Sequence, residues 1–206
     1  MKKNKLFSSE LFKALLFLVL LGGMLLSCDD DAPQREDTPE LITQVVLTFT
    51  PVTGGPTVTS FAVDPDGEGV LDMTTDGPIK LQSNTSYSLE ISLMNGLADA
   101  SSAAYDVSAE VKEEADEHLF FFGWSDGLFQ NPQGDGNIDD RDDHVDYSDT
   151  DDNGLPLGLL TAWATGGVAN GTFRVVLKHQ PEVKSNTSGA SIGESDLDAE
   201  FEIKVD

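Results

Sequence analysis

Tyr87, Leu89, Ile91 and Leu93 occupy every second position of one short segment. That period of two constrains the chain more than any other feature. Successive side chains of a strand point to opposite faces, so such alternation predicts a strand with one buried face. The pattern recurs. Residues 41–50 (LITQVVLTFT) are rich in β-branched residues and stop at Pro51. Thr57 to Val63 alternates, Ile79 to Leu81 reads as a short strand, and His118 to Trp124 is an apolar run of strand length. Leu159 to Thr165, Thr172 to His179 and Phe201 to Val205 read as further strands. Glycine, proline, asparagine and aspartate separate them, as in Gly54-Gly55-Pro56 and Asp64-Pro65-Asp66-Gly67. In 96–117 two periods compete. Val107, Ala109 and Val111 alternate, while Val107 and Val111 also share one helical face; the alternation favours strand. Roughly eight strands without a sustained helical period predict an all-β fold. The expected architecture is an antiparallel immunoglobulin-like β-sandwich forming one domain over 41–206, with a small β-barrel as the alternative.

The N-terminus reads differently. Lys2, Lys3, Lys5 and Lys13 form a basic region, and Ala14 to Leu26 is almost wholly apolar. The run is too short and too unevenly flanked for a membrane span, which predicts a signal peptide over 1–27. Its last residues and the next, Leu25-Leu26-Ser27-Cys28, resemble the lipobox of bacterial lipoproteins. That resemblance implies removal of 1–27 and lipidation of Cys28. Cys28 is the only cysteine, so no internal disulfide can form, and acylation accounts for it. Residues 28–40 (CDDDAPQREDTPE) read as an acidic flexible tether. Asp29, Asp30 and Asp31 resemble the surface-export signal of Bacteroidota lipoproteins. This implies an outer-membrane protein facing outward, with the periplasmic face as the alternative.

A net charge of −25 excludes a nucleic-acid surface and suits a cationic partner or divalent metal ions. The acid concentrates in a long polar loop expected over 125–158. Between Asp135 and Asp152 stand nine aspartates and one arginine, a density that repels itself unless cations neutralise it. Two stretches match calcium loops. In 131–142, Asp135, Asp139 and Asp142 take positions 5, 9 and 12 of an EF-hand-type loop, with Gly136 at the turn, Asn137 after it and Ile138 as the inward apolar residue. Asn131, Pro132 and Gln133 depart from that pattern. Asp149, Asp151, Asn153 and Gly154 satisfy the first half of such a loop, D-x-[DN]-x-[DN]-G, without its terminal acid. Asp64-Pro-Asp66-Gly-Glu68 is a third, weaker fragment. The expected cofactor is therefore a structural calcium ion.

Imidazole beside carboxylates offers a different metal chemistry, suited to zinc or copper. His118 follows Glu113-Glu114-Ala-Asp116-Glu117, His144 lies in Asp142-Asp143-His144-Val-Asp146, and His179 ends a strand. No two share a ligand spacing, so a joint site needs the fold to assemble it. No P-loop, dinucleotide fingerprint or zinc-protease helix occurs. The aromatic cluster Phe120 to Trp124 reads as core.

The lipobox with its acidic run, DPDGEG, DEHLFFF, Asp149 to Leu159 and GTFRVVLKHQPEVKS resemble a group of small uncharacterised Bacteroidota lipoproteins across nearly the whole chain after the leader. Members of that group carry the labels of a type 1 periplasmic binding fold or a GTP cyclohydrolase. The first needs alternating βα units and the second a metal or nucleophile constellation, and this sequence displays neither. The resemblance implies a TonB-dependent outer-membrane receptor as partner. Together these readings predict a non-enzymatic, lipid-anchored binding or accessory protein. The alternatives are a metal- or nutrient-capture partner of that receptor and a surface hydrolase.

Overall fold

The computed structural model describes residues 40–67, 69 and 73–206. The expected signal peptide, Cys28, residues 28–39 of the expected tether and Glu68 lie outside the described residues. The described residues belong to one compact unit, Asp37–Asp206.

The fold is all-β, as the alternation predicts. Its strands are β1 (Gln44–Pro51), β2 (Val58–Val63), β3 (Thr74–Thr75), β4 (Ile79–Leu81), β5 (Ser86–Met94), β6 (His118–Trp124), β7 (Phe129–Asn131), β8 (Asp146–Tyr147), β9 (Leu160–Thr165), β10 (Ala169–His179) and β11 (Glu194–Val205). They form two sheets. The first runs β3-β2-β1-β5-β9-β7 with β8 also on β9, and the second runs β4-β11-β10-β6. Every pairing is antiparallel except that of β4 with β11.

The alternating side chains meet between the sheets. Val45, Leu47, Phe49, Tyr87, Leu89, Ile91 and Leu93 of the first sheet share one core with Phe173, Val175, Leu177, Phe201, Ile203 and Val205 of the second. At its centre Trp163 packs within 5.5 Å of the rings of Phe122, Phe129 and Phe173. Each such side chain contributes roughly 1.5–3 kcal/mol on full burial.

β6 does not alternate because it has no solvent face. Phe120, Phe122 and Trp124 enter the main core. Leu119 and Phe121 form a second cluster with Val176, covered by Ile138, Tyr147 and Ala190. The edge of β6 is covered as well. Phe120 N–H donates to Leu157 O at 2.8 Å, Asn137 N–H to Phe122 O at 2.9 Å, and Trp124 N–H to Asp135 O at 2.9 Å. Asn137 Oδ1 accepts the Phe122 N–H at 3.0 Å, and Tyr147 Oη–H donates to Phe120 O at 2.6 Å. The polar loop expected over 125–158 is thus not wholly irregular: it contains β7 and β8, which pair with β9. Between and beyond them it meets β6 at an isolated bridge, Gly123 with Gly136, and at the bonds just given, satisfying backbone groups that would otherwise be buried unpaired.

One expectation is overturned. Residues 96–117 contain no strand; they hold a 3-10 turn (Ala103–Tyr105) and a helix, α1 (Val107–Glu113). Asp106 caps α1 by accepting the Ala109 N–H at 3.2 Å, and Val107 and Val111, four residues apart, are its buried face. The helical period therefore outweighs the alternation. Ser108 Oγ accepts the Leu93 N–H at 2.6 Å, docking α1 on the end of β5.

The close passage over β6 depends on Gly136. Its φ is +102°, and a Cβ there would stand 2.0 Å from Phe122 O. Gly136→Ala is expected to lower unfolding free energy by at least about 2 kcal/mol in urea titration. The amides of Phe122 and Trp124 should also exchange faster. An unchanged midpoint would mean that the covering loop adds nothing to stability.

Candidate metal centre

β6 begins at His118 and β10 ends at His179, and these two residues are paired across the sheet. Their rings stack with centroids 4.7 Å apart and planes 8° from parallel. Both lie on the core-facing parity of their strands, just past the last apolar side chains, and both are buried. Glu114, where α1 ends, joins them: one ligand atom from each of Glu114, His118 and His179 lies within 4.8 Å of the others.

The orientation of His118 is fixed by Glu114. Its Nδ1 stands 3.1 Å from the Glu114 carbonyl, which only accepts, so Nδ1 carries the hydrogen. The lone pair of a neutral ring is then on Nε2. Burial keeps the ring neutral, pulling its pKa from 6.5 to about 4. Nε2 has no hydrogen-bond partner and is fully buried. It points between two carboxylates, 3.6 Å from Asp196 Oδ2 and 3.6 Å from Glu40 Oε1. Asp196 Oδ2 is likewise buried without a hydrogen-bond partner. Both separations are too long for hydrogen bonds.

Asp196 reaches this position through a bulge. Leu177 of β10 pairs with Leu197, and Lys178 pairs with Ser195, so Asp196 has no partner opposite it. Bulges re-aim side chains, and this one leaves the Asp196 carboxylate buried against His118. Burial, the main cause, pushes the Asp196 pKa from 3.8 to about 6. Glu40 rises from 4.5 to about 8 through burial and then through Glu110, Asp196 and Glu114. Glu117 Oε2 lies 3.3 Å from His179 Nε2, the place of an outer carboxylate that orients a ligating imidazole.

A buried imidazole lone pair that faces two carboxyl groups, beside a second imidazole and Glu114, can hold a cation once the carboxyl protons are displaced. In a tetrahedral zinc site, ligand atoms about 2.0–2.1 Å from the metal are about 3.3 Å apart. The 3.6 Å separations around His118 Nε2 are close to that, whereas the 4.8 Å group would have to contract by side-chain rotation. The set is borderline nitrogen with hard oxygen, chemistry that suits zinc or copper(II).

The structure brings His118 and His179 together and leaves His144 apart. His144 is mostly exposed, its Nε2 2.6 Å from Asp146 Oδ1. The calcium-loop residues are placed as follows. Asp135, Asp139 and Asp142 are exposed, and Asn137 is buried with both side-chain groups bonded, its Nδ2 donating to Tyr147 Oη at 2.8 Å. Asp149 Oδ1 and Oδ2 accept the Gly158 and Leu160 N–H groups at 2.8 and 3.0 Å. Asp151 Oδ1 accepts from Asn153 and Leu155 N–H at 2.9 and 2.8 Å, and its Oδ2 pairs with Lys184 Nζ at 3.0 Å. These oxygens close loops and meet a lysine, so an ion there competes with protein donors. Asn153 is exposed.

Glu40 and Asp196 carry no sequence signal, since one precedes the first strand and the other depends on a bulge. Glu114 stands four residues before His118, inside the acidic run that marks His118 in the sequence. Gly123-Trp124-Ser125-Asp126-Gly127 spells G-x-S-x-G. A nucleophile elbow needs a helix after its serine, but β7 follows here. Ser125 Oγ accepts the Thr172 N–H at 2.9 Å, a structural role.

Without metal the site has a defined pH signature. Glu40 favours folding while protonated, and that contribution is lost progressively as pH rises from 4.5 to about 8; for Asp196 the loss runs from 3.8 to about 6. His118 has the opposite sign, its contribution being lost as pH falls from 6.5 towards 4. The melting temperature of metal-free protein is therefore expected to fall between pH 6.5 and about 8, where Glu40 alone of the three still titrates between its two states, and Glu40→Gln should flatten the fall. Equal slopes would remove Glu40 from the account.

Compared with known proteins, the chain matches no family model, no curated protein and no solved structure.

Proposed function

We propose that this chain is an exported, lipid-anchored outer-membrane protein whose all-β domain binds a divalent transition metal ion, zinc or copper(II), in a non-enzymatic role. One observation carries the reading. The buried, hydrogen-bond-free Nε2 of His118 faces the buried, hydrogen-bond-free Oδ2 of Asp196, beside His179. Burying a lone pair against a carboxylate is costly unless a proton or a cation lies between them. Two imidazoles and several carboxylates favour the cation. The leader and lipobox support export and anchoring at Cys28, and the acidic surface favours the approach of cations. Such a protein would hold metal at the membrane surface for a receptor partner, the TonB-dependent class being the one implied by the sequence resemblance.

The test is a thermal melt of the full chain in detergent, stripped with chelator and then titrated with zinc, copper(II) or calcium. Metal at a hundredfold excess over Kd should add about 2.7 kcal/mol of stability. His118→Ala and His179→Ala should abolish the zinc or copper shift, and His144→Ala should preserve it. A shift that survives both of the first two variants would sink the proposal. A response to calcium alone would return the metal to the exposed carboxylates of Asp135, Asp139 and Asp142.

A further inference from the structure

Glu40 is the first described residue and belongs to no strand, since β1 begins at Gln44. It nonetheless touches the centre twice. Its backbone N–H donates to Asp196 Oδ1 at 3.3 Å, and its Oε1 lies 3.6 Å from His118 Nε2. The segment that leads into the first sheet is thereby fastened to β6 and β11 of the second. Thr43, three residues on, is tied to the first sheet through its N–H, which donates to Met94 O at 2.9 Å.

We propose, resting on the metal reading above, that the bound ion is a latch for this lead-in. His118 and His179 supply ligands from the second sheet and Glu114 one from the end of α1, while Asp196 of the second sheet and Glu40 of the lead-in each bring a carboxylate to His118 Nε2. A ligand set divided in this way makes occupancy and docking a single equilibrium. Metal binds more tightly when residue 40 is seated, and by thermodynamic reciprocity the seated state is favoured when metal is bound. Displacing the lead-in removes a carboxylate ligand and weakens the hold on the ion. Loading the site resists displacement. Asp196 couples the two halves directly, one oxygen accepting the Glu40 N–H and the other facing the His118 lone pair.

The experiment uses the full chain in detergent and zinc as the probe. Zinc affinity is measured by competition with a chromophoric chelator, and hydrogen exchange is followed in the peptide spanning residues 40–47, for wild type and Glu40→Gln. Zinc is expected to slow exchange in that peptide in wild type. Glu40→Gln should bind zinc at least about tenfold more weakly and lose the slowing. Its metal-free melting temperature, at or above that of wild type, would show that the variant is folded. Equal zinc affinity in the two proteins, or zinc binding that leaves the exchange unchanged, would overturn the latch while the metal centre stands. No zinc binding by wild type would overturn the metal centre itself, and the latch with it.

Discussion

β6 must be hidden from water on every side. A strand of an antiparallel sheet ordinarily needs one covered face, but this one carries Leu119, Phe120, Phe121 and Phe122 in sequence, so both faces are apolar. It also lies at the edge of its sheet, where unpaired amides invite association with other chains. The remedy is the polypeptide richest in aspartate. Asp135, Asn137 and Leu157 supply backbone partners, Asn137 and Tyr147 supply side-chain partners, and the carboxylates of Asp139 and Asp142 stay outside. Charge thus keeps the outer surface of the cover in water while its inner surface is bonded to β6. The nine aspartates are consistent with solubility and protection before any ion is invoked.

The same strand sets the electrostatics at its first residue. His118 follows the parity of Phe120 and Phe122, which places an imidazole inside an apolar layer, and the bulge on β11 brings a carboxylate to it. Lys184, held by Ala115 O at 2.6 Å and by Asp151, stands nearby but is already paired. Lys178 also acts on Asp196, yet the Asp196 and Glu40 carboxyls remain shifted towards their protonated forms, so acid is in excess of positive charge here. Protons on Glu40 and Asp196 are one way to restore balance, and a divalent ion is the other.

The alternation at Tyr87–Leu93 and in the final strand was enough to read an all-β, two-sheet fold, because period two is a direct consequence of strand geometry. The helix at Val107–Glu113 was harder, since seven residues satisfy two periods at once and the deciding facts, the Asp106 cap and the Ser108 contact to Leu93, are tertiary. His118 and His179 were legible as candidates but not as a pair, because sixty residues of chain separate them and only strand register joins them. Asp196 was illegible for a different reason. A bulge moves one residue to the other face of its strand, and alternation then assigns it to the wrong side. Aspartate and glycine, the residues of the calcium pattern, are also what tight backbone clamps require. Asp149 and Asp151 hold amides through the same oxygens that a loop site would offer to an ion.

The sheet order carries a consequence for how the chain is made. β11 is an interior strand, flanked by β4 and β10, and β4 pairs with it across more than a hundred residues of intervening sequence. The second sheet therefore cannot be completed until residues 194–205 have been synthesised, however long ago β4 emerged. Pairing at such sequence separation is slow to form. In a chain of this topology the two sheets close over the aromatic core only once the last strand has arrived, so the core assembles late and all together.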